Sequence, residues 1–281
     1  MKLIRWGNPG EEKPGIYRND TCLDVSAWIK DYDEHFFAAG GLKELAKLIA
    51  SETLQELPKN IRFGCPVARP SKIVCIGLNY AKHATETGAP IPNEPILFLK
   101  ATTAISGPYD PILLPRDSTK TDWEVELAVV IGQKASYVSK EEAMTYVAGY
   151  CLHNDVSERA FQLERGGTWD KGKGCDTFAP IGPWLATVDE IPNPHQLKLW
   201  LHLNGQIMQE SNTDDLIFDV PTLISYTSRF MTLLPGDIIS TGTPAGVGMG
   251  IKPEPLYLKA GDVVELGIDG LGCSRQTVIA H

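Results

Sequence analysis

The chain has 281 residues, of which 43% are hydrophobic and 22% are charged, the balance of an ordinary globular protein. Its formal net charge is −9 and its sequence holds no long run of like charges, so nothing indicates binding to nucleic acid or to an anionic membrane. Because an acidic protein repels acidic substrates, a carboxylate substrate would need a local positive centre, such as a bound cation.

Targeting and redox features point to a cytoplasmic protein. The first 15 residues are broken early by Gly and Pro and do not resemble a signal peptide. No apolar run approaches the roughly 18 residues of a membrane span. The six cysteines are scattered without a C-x-x-C pair, so we expect them to be reduced.

The predicted elements divide the chain near residue 70. Residues 1–69 contain short apolar segments and an amphipathic pattern that predicts a helix over Leu42–Leu57. The prolines of Cys65–Pro70 favour an extended linker. We therefore predict a small N-terminal α/β domain over 1–69 and a larger domain over 70–281.

The larger domain consists mostly of short β-type runs. The predicted strands are Lys72–Ile76, Ile96–Leu99, Trp123–Ile131, Ala148–His153, Leu197–Leu203, Ile207–Gln209, Asp237–Thr241, Asp262–Leu266 and Ser274–Ile279. The predicted helices are Lys140–Tyr146, Ser157–Glu164 and Asp219–Phe230, the first capped by Ser139 and the last by its own Asp219. Asn204-Gly205 between two strands predicts a hairpin. Strands and long helices do not alternate, which indicates a β-rich α+β fold and disfavours Rossmann and TIM-barrel folds.

Three carboxylates are candidate ligands of a divalent cation. Glu124 and Glu126 lie two apart in the apolar run Trp123–Ile131, so in a strand they share one face. Buried together they need compensation, which a hard cation provides. The alternative is a strand with one face in solvent. Asp155 ends the next apolar run and could be a third ligand, or it could cap the helix that follows.

That helix carries two further polar side chains. Arg159 and Gln162 lie about one and two turns beyond Asp155, on one helix face. Such a face suits the wall of a polar site, although a solvated helix face would have the same pattern.

Two glycine-rich loops could approach an anionic ligand. Gly167–Gly174 nearly matches a phosphate-binding P-loop, but Gly174 stands where a hydroxyl is required, which argues against nucleotide binding. Lys173 in this loop could still reach an anion or an enolate. In Thr241–Gly248, backbone N–H groups and the Thr243 hydroxyl could contact an anion, unless the loop is simply a tight turn.

A candidate general base lies near the start of the larger domain. His83 and Glu86 are three residues apart and face each other if the segment is helical. A carboxylate that orients a histidine and stabilises its protonated form makes a general base. An incidental pair on an exposed helix is the alternative. Glycine and proline within Ala81–Glu94 favour a lid that becomes ordered on ligand binding.

Taken in order, these motifs resemble the fumarylacetoacetate hydrolase family over residues 70–281. The matching segments are Ile76–Tyr80 with His83 and Glu86, Trp123–Ala128, His153–Asp155 with Arg159 and Gln162, Lys173 with Asp176–Pro183, Leu234–Ile239, and Thr241–Gly248. The resemblance implies a mixed β-sandwich roll behind a small variable N-terminal domain, in agreement with the boundary near residue 70.

The resemblance also implies roles for individual residues. The implied ligands of Mg²⁺ or Mn²⁺ are Glu124, Glu126 and Asp155. The implied catalytic residues are His83 and Glu86, which activate water, and Lys173. The implied substrate contacts are Arg159, Gln162 and Thr243, with Lys100 as a further candidate for the cavity wall.

The activity implied is hydrolysis of a carbon–carbon bond in a small 2,4-dioxo acid. The opening segment Lys2–Gly7 and the later Lys13–Gly15 resemble the sugar-acid branch, whose members hydrolyse 2,4-dioxo-3-deoxy sugar acids such as 2,4-didehydro-3-deoxy-L-rhamnonate. Water activated by His83 would attack the C4 carbonyl and release pyruvate and a second carboxylic acid. A homodimer is also implied. An oxaloacetate decarboxylase and a non-catalytic metal-dependent dicarboxylate binder remain alternatives, which a His83–Glu86 base disfavours weakly.

Overall fold

The structure, a computed structural model, describes residues 1–88 and 90–281. Its α-helices are α1 (Glu34–Ala38), α2 (Gly41–Ser51), α3 (Ala81–Thr87), α4 (Arg159–Leu163), α5 (Asp170–Lys173) and α6 (Val220–Thr227). Its 3₁₀ segments are Thr102–Ala104, Ala143–Tyr146, Thr213–Asp215 and Gly248–Gly250.

Strands dominate the described residues, so the predicted β-rich α+β class is confirmed. The strands are β1 (Lys2–Trp6), β2 (Lys13–Arg18), β3 (Thr21–Asp24), β4 (Gln55–Glu56), β5 (Phe63–Gly64), β6 (Ile73–Gly77), β7 (Ile96–Lys100), β8 (Ile105–Ser106), β9 (Ile112–Leu114), β10 (Thr121–Asp122), β11 (Val125–Ile131), β12 (Val147–Asn154), β13 (Ser157–Glu158), β14 (Ala179–Pro180), β15 (Leu185–Thr187), β16 (Lys198–Leu203), β17 (Gln206–Asn212), β18 (Ile238–Ser240), β19 (Val263–Ile268) and β20 (Gly272–Ala280).

Two large sheets form the body of the molecule. The first has the order β4-β3-β2-β1-β15-β12-β11-β18-β6-β7, with β5 also paired to β1, and the second has the order β17-β16-β19-β20-β9. They meet where β11 and β12 contact β16, β19 and β20. All residues of β11 and β12 are buried, which accounts for their nearly continuous apolar sequence.

The N-terminal strands continue the first sheet. β1 pairs with β2 along one edge, and along its other edge with β5 and, through Lys2 opposite Ala186 and Leu3 opposite Leu185, with β15. Leu3 and Ile4 are fully buried at this junction. The boundary between 1–69 and 70–281 stays a prediction, and backbone hydrogen bonds cross it.

The helix predicted over Leu42–Leu57 is too long by six residues. Helix α2 ends at Ser51, and Glu52 already has an extended backbone. Gln55 and Glu56 instead form β4, which pairs with Asp24 and Leu23 of β3. Hydrogen bonds to a strand edge thus override the local helical pattern of the last residues.

Three other predicted helices are also shorter than expected, and the one predicted over Asp219–Phe230 ends at Thr227. Of Lys140–Tyr146, only Ala143–Tyr146 forms a helical turn, of the 3₁₀ type. Within Ser157–Glu164, Ser157 and Glu158 belong to β13, which pairs with β10, so the helix begins at Arg159. Its N-cap is Glu158, whose side chain accepts from the Ala160 backbone N–H, and not Asp155.

Other local predictions are confirmed. Asp219 caps α6 by accepting a hydrogen bond from the Thr222 backbone N–H at 3.0 Å. Asn204 and Gly205 both have positive φ angles, 53° and 79°, as the tight turn between β16 and β17 requires. The nine strands predicted for the larger domain agree with observed strands to within about three residues at each end, whereas the short strands β8, β9, β10, β13, β14 and β15 were not predicted.

The predicted lid contains a packed helix. Within Ala81–Glu94, residues 81–87 form α3, in which Ala84 is fully buried and His83 is nearly so. Residue 89 of this segment lies outside the described residues, and the mobility of the lid stays a prediction. Across the described parts of the chain, none of the helices has the length and apolarity to span a bilayer.

Candidate active site

Three carboxylates converge where β11 begins and β12 ends. The antiparallel register sets Val125 opposite Asn154, and the Asp155 backbone N–H donates to the Glu124 carbonyl at 2.9 Å. Glu124 and Asp155 therefore lie side by side, and Glu126 is two residues along the same strand face. One oxygen from each of the three lies within 4.8 Å of the others, and all three residues are buried.

Lysine and arginine side chains neutralise two of these carboxylates. Glu124 accepts from Arg159 Nη2 and from Lys173 Nζ, both at 2.6 Å. Asp155 accepts from Lys173 Nζ at 2.9 Å and from Lys100 Nζ at 2.6 Å. Burial alone would raise the pKa of Asp155, but the two lysines prevail and lower it, so Asp155 is ionised at neutral pH.

Glu126 has no such ion pair among the described residues. Its Oε2 accepts from the Ser240 hydroxyl at 2.6 Å and from the Gly242 backbone N–H at 2.9 Å, and no ion pair to it occurs within residues 1–88 and 90–281. Burial, then Asp155 and Glu124, raise the pKa of Glu126 well above its ordinary value. Three converging buried carboxylates, one of them without an ion pair in the described part of the chain, fit a hard divalent cation with oxygen ligands.

Lys173 is held as a cation beside these carboxylates. Burial would lower its pKa, but Asp155 and Glu124 outweigh burial and raise it above the ordinary value. Its Nζ also lies 5.0 Å from the centre of the Phe98 ring, a favourable position for a cation. Lys173 is therefore suited to stabilise negative charge and unsuited to act as a base at neutral pH.

Asp122 braces the arginine of the site. Its carboxylate accepts from Arg159 Nε at 2.9 Å and from the backbone N–H groups of Gly248 and Met249 at 2.6 and 3.1 Å. Arg159 Nη1 donates to Gln162 Oε1 at 3.1 Å. This hydrogen bond orients the Gln162 amide and uses its oxygen, so its Nε2 group is left to donate to another partner. Arg159 and Gln162, which were predicted to share one helix face, are thus hydrogen-bonded to each other.

The histidine and glutamate of α3 also meet as predicted from their spacing. His83 Nδ1 lies 3.2 Å from Glu86 Oε2. Glu86 Oε1 accepts from the Gly246 backbone N–H at 2.9 Å, so the carboxylate that orients His83 also fastens α3 to the loop after β18.

A cavity of about 160 Å³ opens between these elements. Its predicted site residues are His83, Glu124, Glu126, Arg159, Gln162, Lys173 and Thr243. The Thr243 hydroxyl donates to the Val125 carbonyl at 3.0 Å and accepts from Gln209 at 2.8 Å, so its proton is already engaged. Lys100 is not among the lining residues: it lies buried behind Asp155 and also donates to the Val156 carbonyl at 3.0 Å.

Several residues of the site escaped the sequence analysis. Asp122 continues the alternation of Glu124 and Glu126, and this pattern could have identified it. Ser240 gave no such signal, and His153 lies in the matching segment His153–Asp155 without any role implied for it. His153 Nδ1 lies 2.6 Å from Ser240 Oγ, and burial lowers the pKa of His153 to about 3, so its imidazole is neutral.

Comparisons with known proteins identify the family of this chain. The family model described as fumarylacetoacetate (FAA) hydrolase C-terminal matches residues 72–279. A Burkholderia cenocepacia protein whose name gives no substrate is 54% identical over 278 residues, which are 99% of this chain and 98% of that protein.

Solved structures of similar proteins cover the whole chain. Fumarylacetoacetate hydrolase from the psychrophile Exiguobacterium antarcticum is 33% identical, with a TM-score of 0.87 and 100% of both chains covered. Maleylpyruvate hydrolase from Sphingobium sp. SYK-6, in complex with manganese(II) and pyruvate, is 30% identical, with a TM-score of 0.81 and 100% and 99% covered. The 2-hydroxyhepta-2,4-diene-1,7-dioate isomerase from Mycobacterium marinum is 33% identical, with a TM-score of 0.79 and 100% and 98% covered. The chain belongs to the fumarylacetoacetate hydrolase family, as the order of its motifs predicted.

Proposed function

We propose that this chain is a metal-dependent hydrolase that breaks a carbon–carbon bond in a 2,4-dioxo acid. The substrate would be an acylpyruvate or a 2,4-dioxo-3-deoxy sugar acid, and the products pyruvate and a second carboxylic acid. The observation that carries the proposal is the convergence of three buried carboxylates beside a histidine–glutamate pair at one cavity. The similar maleylpyruvate hydrolase, which holds manganese(II) and pyruvate, supports it.

Glu124, Glu126 and Asp155 would hold Mg²⁺ or Mn²⁺. When bound, the cation would supply a positive centre that stabilises negative charge developing on the substrate. Glu126 would thereby gain the counter-charge that its protein neighbours do not provide. The same positive centre would attract a carboxylate substrate to a protein whose net charge is −9.

His83 would act as the general base through Nε2, because its Nδ1 faces Glu86. Glu86 would accept the Nδ1 proton in a hydrogen bond and stabilise the imidazolium as His83 takes a proton from water. The resulting hydroxide adds to the C4 carbonyl, the C3–C4 bond breaks, and C3 takes up a proton. One water and one dioxo acid thus give pyruvate and a second carboxylic acid.

Cationic and amide groups would hold and stabilise the reacting molecule. Lys173 would stabilise the enolate of pyruvate as the C3–C4 bond breaks, since its ammonium group is kept protonated by two carboxylates. Arg159 retains N–H groups beyond the three that bond within the protein, and Gln162 retains its Nε2 donors. Both side chains are therefore proposed as substrate contacts, with Thr243 beside them.

A pyruvate-release assay over a panel of acylpyruvates, oxaloacetate and dioxo sugar acids tests this function. We expect pyruvate from at least one dioxo acid in the presence of Mg²⁺ or Mn²⁺, together with one equivalent of the second acid. Release from oxaloacetate alone, with carbon dioxide, would instead identify a decarboxylase. Binding without turnover of any compound would identify a non-catalytic binder. We also propose that the protein is a cytoplasmic homodimer. Analytical ultracentrifugation of the purified protein tests the dimer.

A further inference from the structure

The cavity lining divides by chemistry into charged and apolar side chains. The charged side chains, which we call the charged end, are Glu124, Glu126, Arg159 and Lys173. The rest of the lining is mainly apolar, and we call its six side chains the apolar wall: Ile76, Leu78, Phe98, Leu163, Trp169 and Met249. If the charged end takes the carboxylate and the 2-oxo group, most of the lining left for the acyl group beyond C4 is this wall.

Two aromatic rings give the apolar wall a defined shape. Phe98 of β7 and Trp169 pack edge to face, with ring centres 5.4 Å apart and planes at 64°. A Cβ atom on Gly77 would lie 2.7 Å from the Trp169 ring, so only glycine lets the indole lie across the end of β6. Phe98 also contacts Lys173, which joins the wall to the charged end.

The polar groups of the lining are largely engaged within the protein. Arg159 donates through all three of its nitrogens, Lys173 uses two of its three donors, and the Thr243 hydroxyl both donates and accepts. The remaining donors, on Arg159, Lys173 and Gln162, lie at the charged end. A hydroxyl on the acyl group would therefore lose its hydrogen bonds to water when the substrate binds. The side chains of the apolar wall offer it no hydrogen bond in exchange.

We propose that the apolar wall selects acylpyruvates with a hydrocarbon acyl group over dioxo acids that carry hydroxyls beyond C4. This inference rests on the proposed hydrolase function and narrows its substrate class. A hydrophobic pocket discriminates against an added hydroxyl by roughly 10²-fold at most, so the preference is expected to be moderate.

Two substrates that differ by a single hydroxyl test the inference. 2,4-Dioxohexanoate and 5-hydroxy-2,4-dioxohexanoate have the same carbon skeleton, and the second is the dioxo form of a deoxy sugar acid. We expect kcat/KM for pyruvate release to be about 10- to 100-fold higher for the first. An equal or higher kcat/KM for the hydroxylated compound would overturn the inference and leave the hydrolase intact. No pyruvate from either compound would remove both proposals.

Variants of Trp169 test whether the apolar wall causes this substrate preference. Trp169→Ala should reduce the ratio of the two kcat/KM values towards one, whereas Trp169→Phe should retain most of it. Trp28→Ala, at a half-exposed tryptophan of the N-terminal segment, is the matched control and should leave the ratio unchanged. If Trp169→Ala leaves the ratio of the two kcat/KM values unchanged, the apolar wall does not select the acyl group.

Discussion

The side chains behind Glu126 form a hydrogen-bonded chain that ends at a buried histidine. Ser240 has one hydroxyl proton, which it donates to Glu126, so Ser240 must accept from His153 Nδ1–H. Burial lowers the pKa of His153 to about 3 and keeps the ring neutral, and the hydrogen bond to Ser240 then places the one ring proton on Nδ1. This chain fixes the orientation of one proposed metal ligand, as partners of ligands do in other metal sites.

Removing the Ser240 hydroxyl should weaken metal binding. We expect Ser240→Ala to lower the affinity for Mn²⁺ by about 10- to 100-fold, the usual effect of losing a partner of a metal ligand, as measured by isothermal titration calorimetry. Ser228→Ala is the matched control, because Ser228 is equally buried but bonds to Val138 and Ser225, away from the cavity. Equal affinities in Ser240→Ala and wild type would mean that Ser240 supports only the fold.

His83→Ala should reduce hydrolysis without affecting metal affinity. A lost general base lowers kcat by about 10²–10⁴-fold, or roughly 3–5.5 kcal/mol in barrier height. Decarboxylation of oxaloacetate, if the wild type shows it, needs no activated water and should fall far less. His35→Ala, at an exposed histidine of α1, should match the wild type. Equal losses of both activities would assign His83 to substrate positioning instead.

Helices and strands were predictable where one local signal decides the structure. Asn204-Gly205 identifies its hairpin and Asp219 its helix start, because both signals act within a few residues. The helix prediction over Leu42–Leu57 was wrong at its end, because Gln55 and Glu56 pair with β3 instead. The local sequence pattern does not reveal these hydrogen bonds. Spacing also predicted the site pairs within one element, Glu124 with Glu126 and His83 with Glu86.

Helix α3 should open more readily than the strands beneath it. It has seven residues, and Glu86 fastens it to the Gly246 N–H of the facing loop. We expect its amides to exchange with deuterium faster than those of β11, and to slow when Mg²⁺ and pyruvate are added. Helix α6, of similar length, should not respond to these ligands. Equal protection of α3 and β11 before ligand is added would argue against a lid.

Over the whole molecule, the site depends on contacts between segments far apart in sequence. Asp122 meets the Gly248 N–H, Ser240 meets Glu126, and Gly77 makes room for Trp169. Ser240 and Gly77 look ordinary in the sequence, because only the folded sheets bring them to their partners. Ser240 and the apolar wall could therefore not be assigned to the site from local patterns alone, whereas the three carboxylates, Asp122 and the His83–Glu86 pair follow such patterns.

The same convergence leaves Glu126 without an ion pair among the residues that the structure describes, and the proposed mechanism depends on a divalent cation to supply the missing charge. The most direct test is pyruvate release from an acylpyruvate by enzyme stripped with EDTA, titrated with Mg²⁺ or Mn²⁺. We expect no activity in stripped enzyme, full recovery in wild type, and recovery in Glu126→Gln only at much higher metal concentration. Glu210→Gln, at an exposed glutamate of β17, should recover like wild type. Full activity in metal-free enzyme would contradict the account.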